Sequence, residues 1–220
     1  MKNLILLGAG GHSSVIIEII NKSYSNISIV GFTDIRYPEI KAFESFPILG
    51  NDNLLTEIIK KNKVDHAFIS VGSTGNNLLR KKLFEKIISL GYKSLNIIDQ
   101  SSLLADDLVL DTGNLIAPAV VLNPNVRLGD NNIINTGSII EHDCQIKSHV
   151  HIAPGSVIGG NVKIESLTHV GLGARIIEGI RIGSNVLIGA GSVIIDDVPD
   201  NTVIVGNPGR IIRKRSDRNE

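Results

Sequence analysis

Counting every sixth residue from Ile98 to Ile194 gives seventeen consecutive positions that are Ile, Leu or Val, with no insertion or deletion. An amphipathic helix repeats near 3.6 and a half-buried strand at two, so a strict six fits neither. A unit this short cannot bury its apolar face alone, and successive units must stack on one another. Four places after most of these aliphatics stands a small or β-branched residue: Ser138, Cys144, Val150, Ser156, Val162, Thr168, Ala174, Val186 and Ser192. Large and small inward positions thus alternate around a narrow three-sided prism. Gly, Asn and Asp crowd the positions between, where corners need left-handed backbone. Three hexads make one 18-residue coil, and nearly six coils at ~4.8 Å each predict a column ~27 Å tall.

Residues 1–97 follow a different grammar. Asn3–Leu7 reads as a strand that ends in Gly8-Ala9-Gly10-Gly11-His12, and Ser13–Ile20 as a helix with Val15, Ile16, Ile19 and Ile20 on one face. Strands are expected over 27–32, 67–71 and 93–97, and helices over 53–62 and 76–90. This alternation predicts a small parallel sheet flanked by helices. The expected layout is an α/β Rossmann-like domain over 1–97, a β-helix over 98–205 and a tail over 206–220.

Charge narrows the list of partners. The chain carries 22 basic and 22 acidic residues, which offers no broad field for nucleic acid or an anionic membrane. Its basic cluster, Arg210, Arg213, Lys214 and Arg215, is short and terminal. One cysteine, Cys144, excludes an internal disulfide and sits at an inward small position, where packing is its expected role. The N-terminal apolar run is too short for a secretion signal and no stretch approaches a membrane span, so a cytoplasmic location is expected.

Gly8-x-Gly10 between a strand and a helix starts a dinucleotide fingerprint, but Ser13 stands where the third glycine belongs. What remains is a tight turn exposing N–H groups at a helix N-terminus, an anion site. One reading is a nicotinamide cofactor with Asp34 on a ribose hydroxyl. A second is a nucleotide-sugar diphosphate held by Gly10, Gly11 and His12, with Asp34 toward the base or ribose. The plain alternative is glycines that merely admit close helix packing.

Segments such as Ile158-Gly-Gly-Asn-Val, Ile182-Gly-Ser-Asn-Val and Ile188-Gly-Ala-Gly-Ser, with the ending Val205-Gly-Asn-Pro-Gly-Arg210, make the chain similar to the hexapeptide-repeat acyltransferases. Together with Gly8-Ala-Gly-Gly-His12 and Ile134-Asn-Thr-Gly-Ser-Ile-Ile-Glu-His-Asp-Cys144, it resembles bacterial sugar acetyltransferases. These include N-acetyltransferases of nucleotide-linked aminosugars and the related sialic acid O-acetyltransferases. The resemblance implies a left-handed parallel β-helix, acetyl-CoA as co-substrate without a metal, and a homotrimer with active sites between prisms. It also adds Gly72 and Arg80, after the third strand, to the nucleotide side; after the second strand, where the family often has an acidic pair, this chain has Thr33-Asp34.

The histidines carry the chemistry. An amine attacking a thioester loses a proton, and neutral imidazole near pH 7 suits its removal. His142 falls at a corner between Glu141 and Asp143, and the resemblance makes it the catalytic base with Asp143 as its orienter; a solvated corner histidine is the plain alternative. His151 and His169 lie one coil apart and should stack. His151 is nine residues from His142, half a coil away, so the two can meet only across subunits. The resemblance puts His151 beside coenzyme A and Asn135 near the acceptor amine. The thioester groove is expected to be lined by Gly160, Leu172 and Ala190 of the neighbour, with an N–H such as that of Gly160 on the oxyanion. His149, His151 and His169 could together suggest zinc, but their places in the hexad differ; His66 beside Asp65 reads as structural. The expected activity is N-acetylation of a nucleotide-linked aminosugar for bacterial surface glycans. Its rivals are sialic acid O-acetylation and a non-catalytic nucleotide-sugar scaffold.

Overall fold

The structure, a computed structural model, describes residues 1–62 and 64–215. The tail expected over 206–220 therefore extends past the described residues.

Strand β1 (Lys2–Leu7) lies at the heart of a five-stranded sheet. Its Leu4, Ile5, Leu6 and Leu7 are all fully buried, as a strand covered on both faces requires. It pairs in parallel with β2 (Ile27–Thr33), and the outer edge beyond β2 is a hairpin of β3 (Ala42–Phe43) and β4 (Phe46–Gly50). On its other side β1 pairs in parallel with β5 (His66–Ile69). Helix α1 (Gly11–Ser23) packs Ile16 and Ile20 with Leu4 and Leu6 on one face. Helices α2 (Leu55–Asn62) and α3 (Leu78–Ser89) cover Ile5 and Leu7 on the other, through Ile58, Leu83 and Ile87.

Two expectations change here. The hairpin at residues 42–50 had no signal in the sequence: β3 is two residues long and β4 carries Pro47. β4 joins β2 only through Phe32↔Ile48 and Thr33↔Gly50. Conversely, the strand expected over 93–97 shrinks to a single bridge from Lys93 to His66, because Ile97 already belongs to the column.

From Ile97 to Ile194 the chain forms seventeen two-residue strands. They stack into three parallel sheets with partners one coil apart, as in Ile116↔Ile134, Ile140↔Ile158 and Ile146↔Ile164. The column is a left-handed β-helix, and its every-sixth aliphatics from Ile116 onward form one continuous buried core. Inward hydroxyls do not break it, because they find backbone partners: Ser138 donates to Ala153 O at 3.0 Å, Thr168 to Gly183 O at 2.7 Å, and Ser192 accepts from Gly206 N–H at 3.1 Å. The corners turn through left-handed residues at matching heights, Asn125, Asp143, Asn161 and Gly179 along one edge and Gly137, Gly155, Gly173 and Gly191 along another.

The three outer faces differ. One carries Arg127, Gln145, Lys163 and Arg181, all exposed to solvent. The second carries Leu103, Val121, Ile139 and Val157, partly or fully exposed although apolar, then the exposed Arg175 and the half-exposed Val193. The third carries Ile97, Leu115 and Ile133, which are fully buried in one core with α1 and the sheet, then His151, His169 and Leu187. The N-terminal domain is therefore docked on this third face. Among the described residues no helix is long and apolar enough to cross a membrane.

Candidate active site

At the carboxyl ends of β1, β2 and β5 opens a cleft of about 460 Å³. Gly8 forms its floor at φ 104°, and a Cβ there would lie 2.4 Å from Val71 Cγ2, so the tight turn admits only glycine. Gly10 and Gly11 have open space where a Cβ would stand, so close helix packing does not explain them. Instead they leave the N-terminus of α1, with its unpaired N–H groups, facing the cleft. Ser13 is buried in place of the missing third glycine. Its hydroxyl donates to Gly8 O at 2.7 Å and accepts from Gly10 N–H at 3.3 Å, locking the turn from inside.

Asp34 lines the cleft but is already engaged. Its Oδ2 accepts from Ala9 N–H at 2.9 Å, and Arg36 donates to both oxygens through Nε at 2.7 Å and Nη2 at 2.9 Å. This pairing with Arg36 pulls the Asp34 carboxyl down to about 2. His12 also lines the cleft, its backbone side pressed against Gly72. Burial, then the charge of Arg80, lowers its pKa to about 4, and its buried Nε2 has no hydrogen-bond partner. The imidazole is neutral. Arg80 does not reach the cleft. Its guanidinium is fully buried, donating to Ile69 O at 2.9 Å, to Val71 O, and to Asn131 Oδ1 at 2.8 Å on the column. It ties the domains together, with the carbonyls of Ile69 and Val71 and the Asn131 amide oxygen accepting from it.

A second hollow, about 380 Å³, lies against the third face of the column. It gathers His151, Leu172 and Ala190 from the column with Ser73, Thr74 and Gly75 of the loop after β5. His151 and His169 stack as their spacing predicts, with ring centroids 4.7 Å apart and planes at 88°. His151 Nδ1 lies 2.8 Å from Ser73 Oγ and 3.1 Å from Ser73 O, while Asn135 Nδ2 lies 3.2 Å from Nε2. Nδ1–H donating to Ser73 and Nε2 accepting from Asn135 satisfies all three contacts. His169 Nδ1 accepts from Gly75 N–H at 3.3 Å. Burial holds both imidazoles neutral: the pKa of His151 lies well below its ordinary value and that of His169 falls to about 4. His149 leaves this pair, packing edge-on against Phe84 and meeting Asn131 Nδ2 with Nδ1 at 3.0 Å. No three His, Cys, Asp or Glu side chains among the described residues gather as metal ligands.

His142 stands on a different edge of the column. Asp143 follows it at φ 62°, and this left-handed corner folds the carboxylate back to 2.7 Å from His142 Nδ1. The pair holds Nδ1 and leaves Nε2 for a substrate; the His142 side chain is 61% exposed. One coil on, Gly160 lies beneath the ring: a Cβ there would come within 2.8 Å of Cε1 and Nε2. Gly160 is therefore the seat of the imidazole in its own chain, and it does not line the hollow with Leu172 and Ala190. Cys144 packs inward, its thiol raised to about 11 by burial. The residues missed from sequence are Ser73, Arg36 and Asp52. Ser73 follows a strand expected to run on to residue 71, Asp52 follows the unexpected β4, and Arg36 gains meaning only once it folds back on Asp34.

The PglD N-terminal domain model matches residues 3–87, and the bacterial transferase hexapeptide (six repeats) model matches residues 125–160. The chain is similar to perosamine N-acetyltransferase from Caulobacter crescentus, solved as a histidine-to-asparagine mutant in complex with CoA and GDP-perosamine. The two share 28% identity over 97% of this chain and 98% of that one, with a TM-score of 0.89. It is also similar to the acetyltransferase domain of PglB from Neisseria gonorrhoeae, at 30% identity over 96% of this chain and all (100%) of that one, TM-score 0.86. WeeI from Acinetobacter baumannii matches at 26% identity over 96% and 100%, TM-score 0.85. With both halves matched in order and nearly end to end, the chain belongs to the hexapeptide-repeat sugar acetyltransferases that carry a PglD-type N-terminal domain.

Proposed function

We propose that the chain transfers the acetyl group of acetyl-CoA to the amine of a nucleotide-linked aminosugar, with His142 as general base. The observation that carries this reading is the exposed His142 imidazole, held at Nδ1 by Asp143 and seated on Gly160 with Nε2 unclaimed. Support for the substrates comes from the perosamine enzyme bound to CoA and GDP-perosamine, and from PglB bound to acetyl coenzyme A.

In this reading Gly10, Gly11 and the neutral His12 hold the diphosphate, beside Gly72 and Asp34. The amine nitrogen attacks the thioester carbonyl, forming the C–N bond, and Nε2 of His142 takes the proton that the nitrogen sheds. The tetrahedral intermediate then collapses, breaking the C–S bond, and the imidazolium returns its proton to the departing thiolate. Asp143 stabilises that imidazolium and fixes the tautomer. The donor occupies the hollow of His151, Leu172 and Ala190, with Asn135 toward the amine.

His142 and that hollow lie on different faces of one column, so the reaction needs a neighbouring copy. The apolar strip of Leu103, Val121, Ile139 and Val157, which ends at Arg175, supports a homotrimer. The setting is cytoplasmic synthesis of bacterial surface glycans.

The test is His142→Ala, read by thiol release from acetyl-CoA with a panel of nucleotide-linked aminosugars and by mass spectrometry of the product. The variant should fold and assemble normally yet lose transfer by at least about a hundredfold. Undiminished transfer removes the assignment.

A further inference from the structure

The edge of the column that carries His142 is a ladder of corners spaced one coil apart. Asn125, Asp143 and Asn161 all turn through left-handed backbone there, at φ 62°, 62° and 58°. Main-chain bonds latch each corner to the next: Asp143 N–H donates to Pro124 O at 3.0 Å, and Asn161 N–H to His142 O at 2.8 Å. Asn125 is itself fixed from the preceding coil, its N–H shared by both carboxylate oxygens of Asp107 at 3.1 Å. From this anchored position the Asn125 side chain hydrogen-bonds the Asp143 carboxylate. Facing an anion, an amide donates through its NH2 group. The bond with His142 first, and that with Asn125 after it, keep the Asp143 carboxyl below its ordinary value.

Asp143 needs such a brace. Its side chain is 51% exposed, and with Asn125 it lines a polar hollow of about 560 Å³ that also holds Arg127 and Gln145. Water there competes for the carboxylate oxygens, and the Arg127 cation offers them a rival ion pair. Either would draw the carboxylate away from its place 2.7 Å from His142 Nδ1. Resting on the reading of His142 as general base, we propose that Asn125 is a positioning residue for that base, acting through Asp143. It pins the carboxylate that holds Nδ1, so Nε2 keeps its aim and its lone pair. The rival account is a corner asparagine that serves only the turn, since Asn tolerates left-handed φ better than most residues.

Asn125→Gly separates the two, because it keeps the left-handed corner and removes the amide; the full-length variant should fold and assemble as before. With acetyl-CoA and the nucleotide-linked aminosugar turned over fastest in the panel above, its kcat should fall about three- to tenfold with KM little changed, the weight of one hydrogen bond passed through Asp143. Asn125→Asp also keeps the turn but sets carboxylate against carboxylate, and should lower kcat at least as far. In an Asp143→Gly background, Asn125→Gly should cost nothing more. Nitrogen NMR of histidine-labelled protein reads the same brace without substrate. His142 should carry its proton on Nδ1 in the unaltered protein and populate both neutral tautomers in Asn125→Gly. Full activity in both single variants, an equal loss in the Asp143→Gly background, or an unchanged tautomer leaves Asn125 a turn residue and overturns the proposal alone. Undiminished transfer by His142→Ala, or no transfer with the whole panel, removes the base reading and this role with it.

Discussion

The corner residue Asp143 shows how much chemistry one backbone angle can carry. Left-handed φ turns its carboxylate toward the preceding ring, so the orienter of His142 comes from the coil geometry itself. Asp143→Asn should keep the turn, since Asn adopts this conformation readily, and lower kcat less than loss of His142 does, with KM little changed. Gly160→Ala should displace the exposed ring rather than the backbone, lowering kcat while the melting temperature holds. The buried imidazoles predict an acid limit. His12, His149 and His169 have folded pKa values of about 4 against an ordinary 6.5, so the unfolded chain takes up protons first as pH falls. Their stability contribution is complete above about pH 6.5 and is lost down to about pH 4. Melting temperatures across this range should fall, and less steeply in His169→Gln. Sequence reading placed His142, Asp143 and the stacked His151 and His169, because a fixed coil length converts numbering into position. It gave no sign that Arg80 of α3 would be buried against Asn131 or that Ser73 would meet His151, since contacts between the halves obey no such period.

Among elements, the hexad core and the corners contribute in different ways. Ile158 is fully buried midway along the column, and Ile158→Ala should cost about 2–5 kcal/mol in denaturant melts. Leu167 occupies a left-handed corner at φ 66°, in the row shared with Asn131 and Asn185. A branched side chain is strained there, so Leu167→Asn should stabilise by up to about 1 kcal/mol, read by the same melts. The column was legible almost residue by residue, because each strand repeats the same inward demand. The sheet was legible only where apolar runs were long. β4, with Pro47 and two paired positions, exists because β2 offers it an edge, and that is a tertiary cause no local pattern records.

For the whole molecule, the half-exposed apolar strip is the place to test assembly. Val157→Glu should reduce the mass measured by light scattering from that of a trimer to that of a single chain, and acetyl transfer should disappear with it. A monomer that kept full activity would break the link between assembly and catalysis. The sequence did hold a sign of how the halves meet: Ile97, Leu115 and Ile133 recur at one coil on a single face, where an isolated prism has no use for three exposed aliphatics. The helix that opens at the glycine turn is the one that rests on them. The N-terminal half is thus packed onto the first coils of the column. On the proposed function, which atom of a bound sugar meets the imidazole is then set by this packing together with the placement of the neighbouring copy, and a longer or shorter sugar would miss.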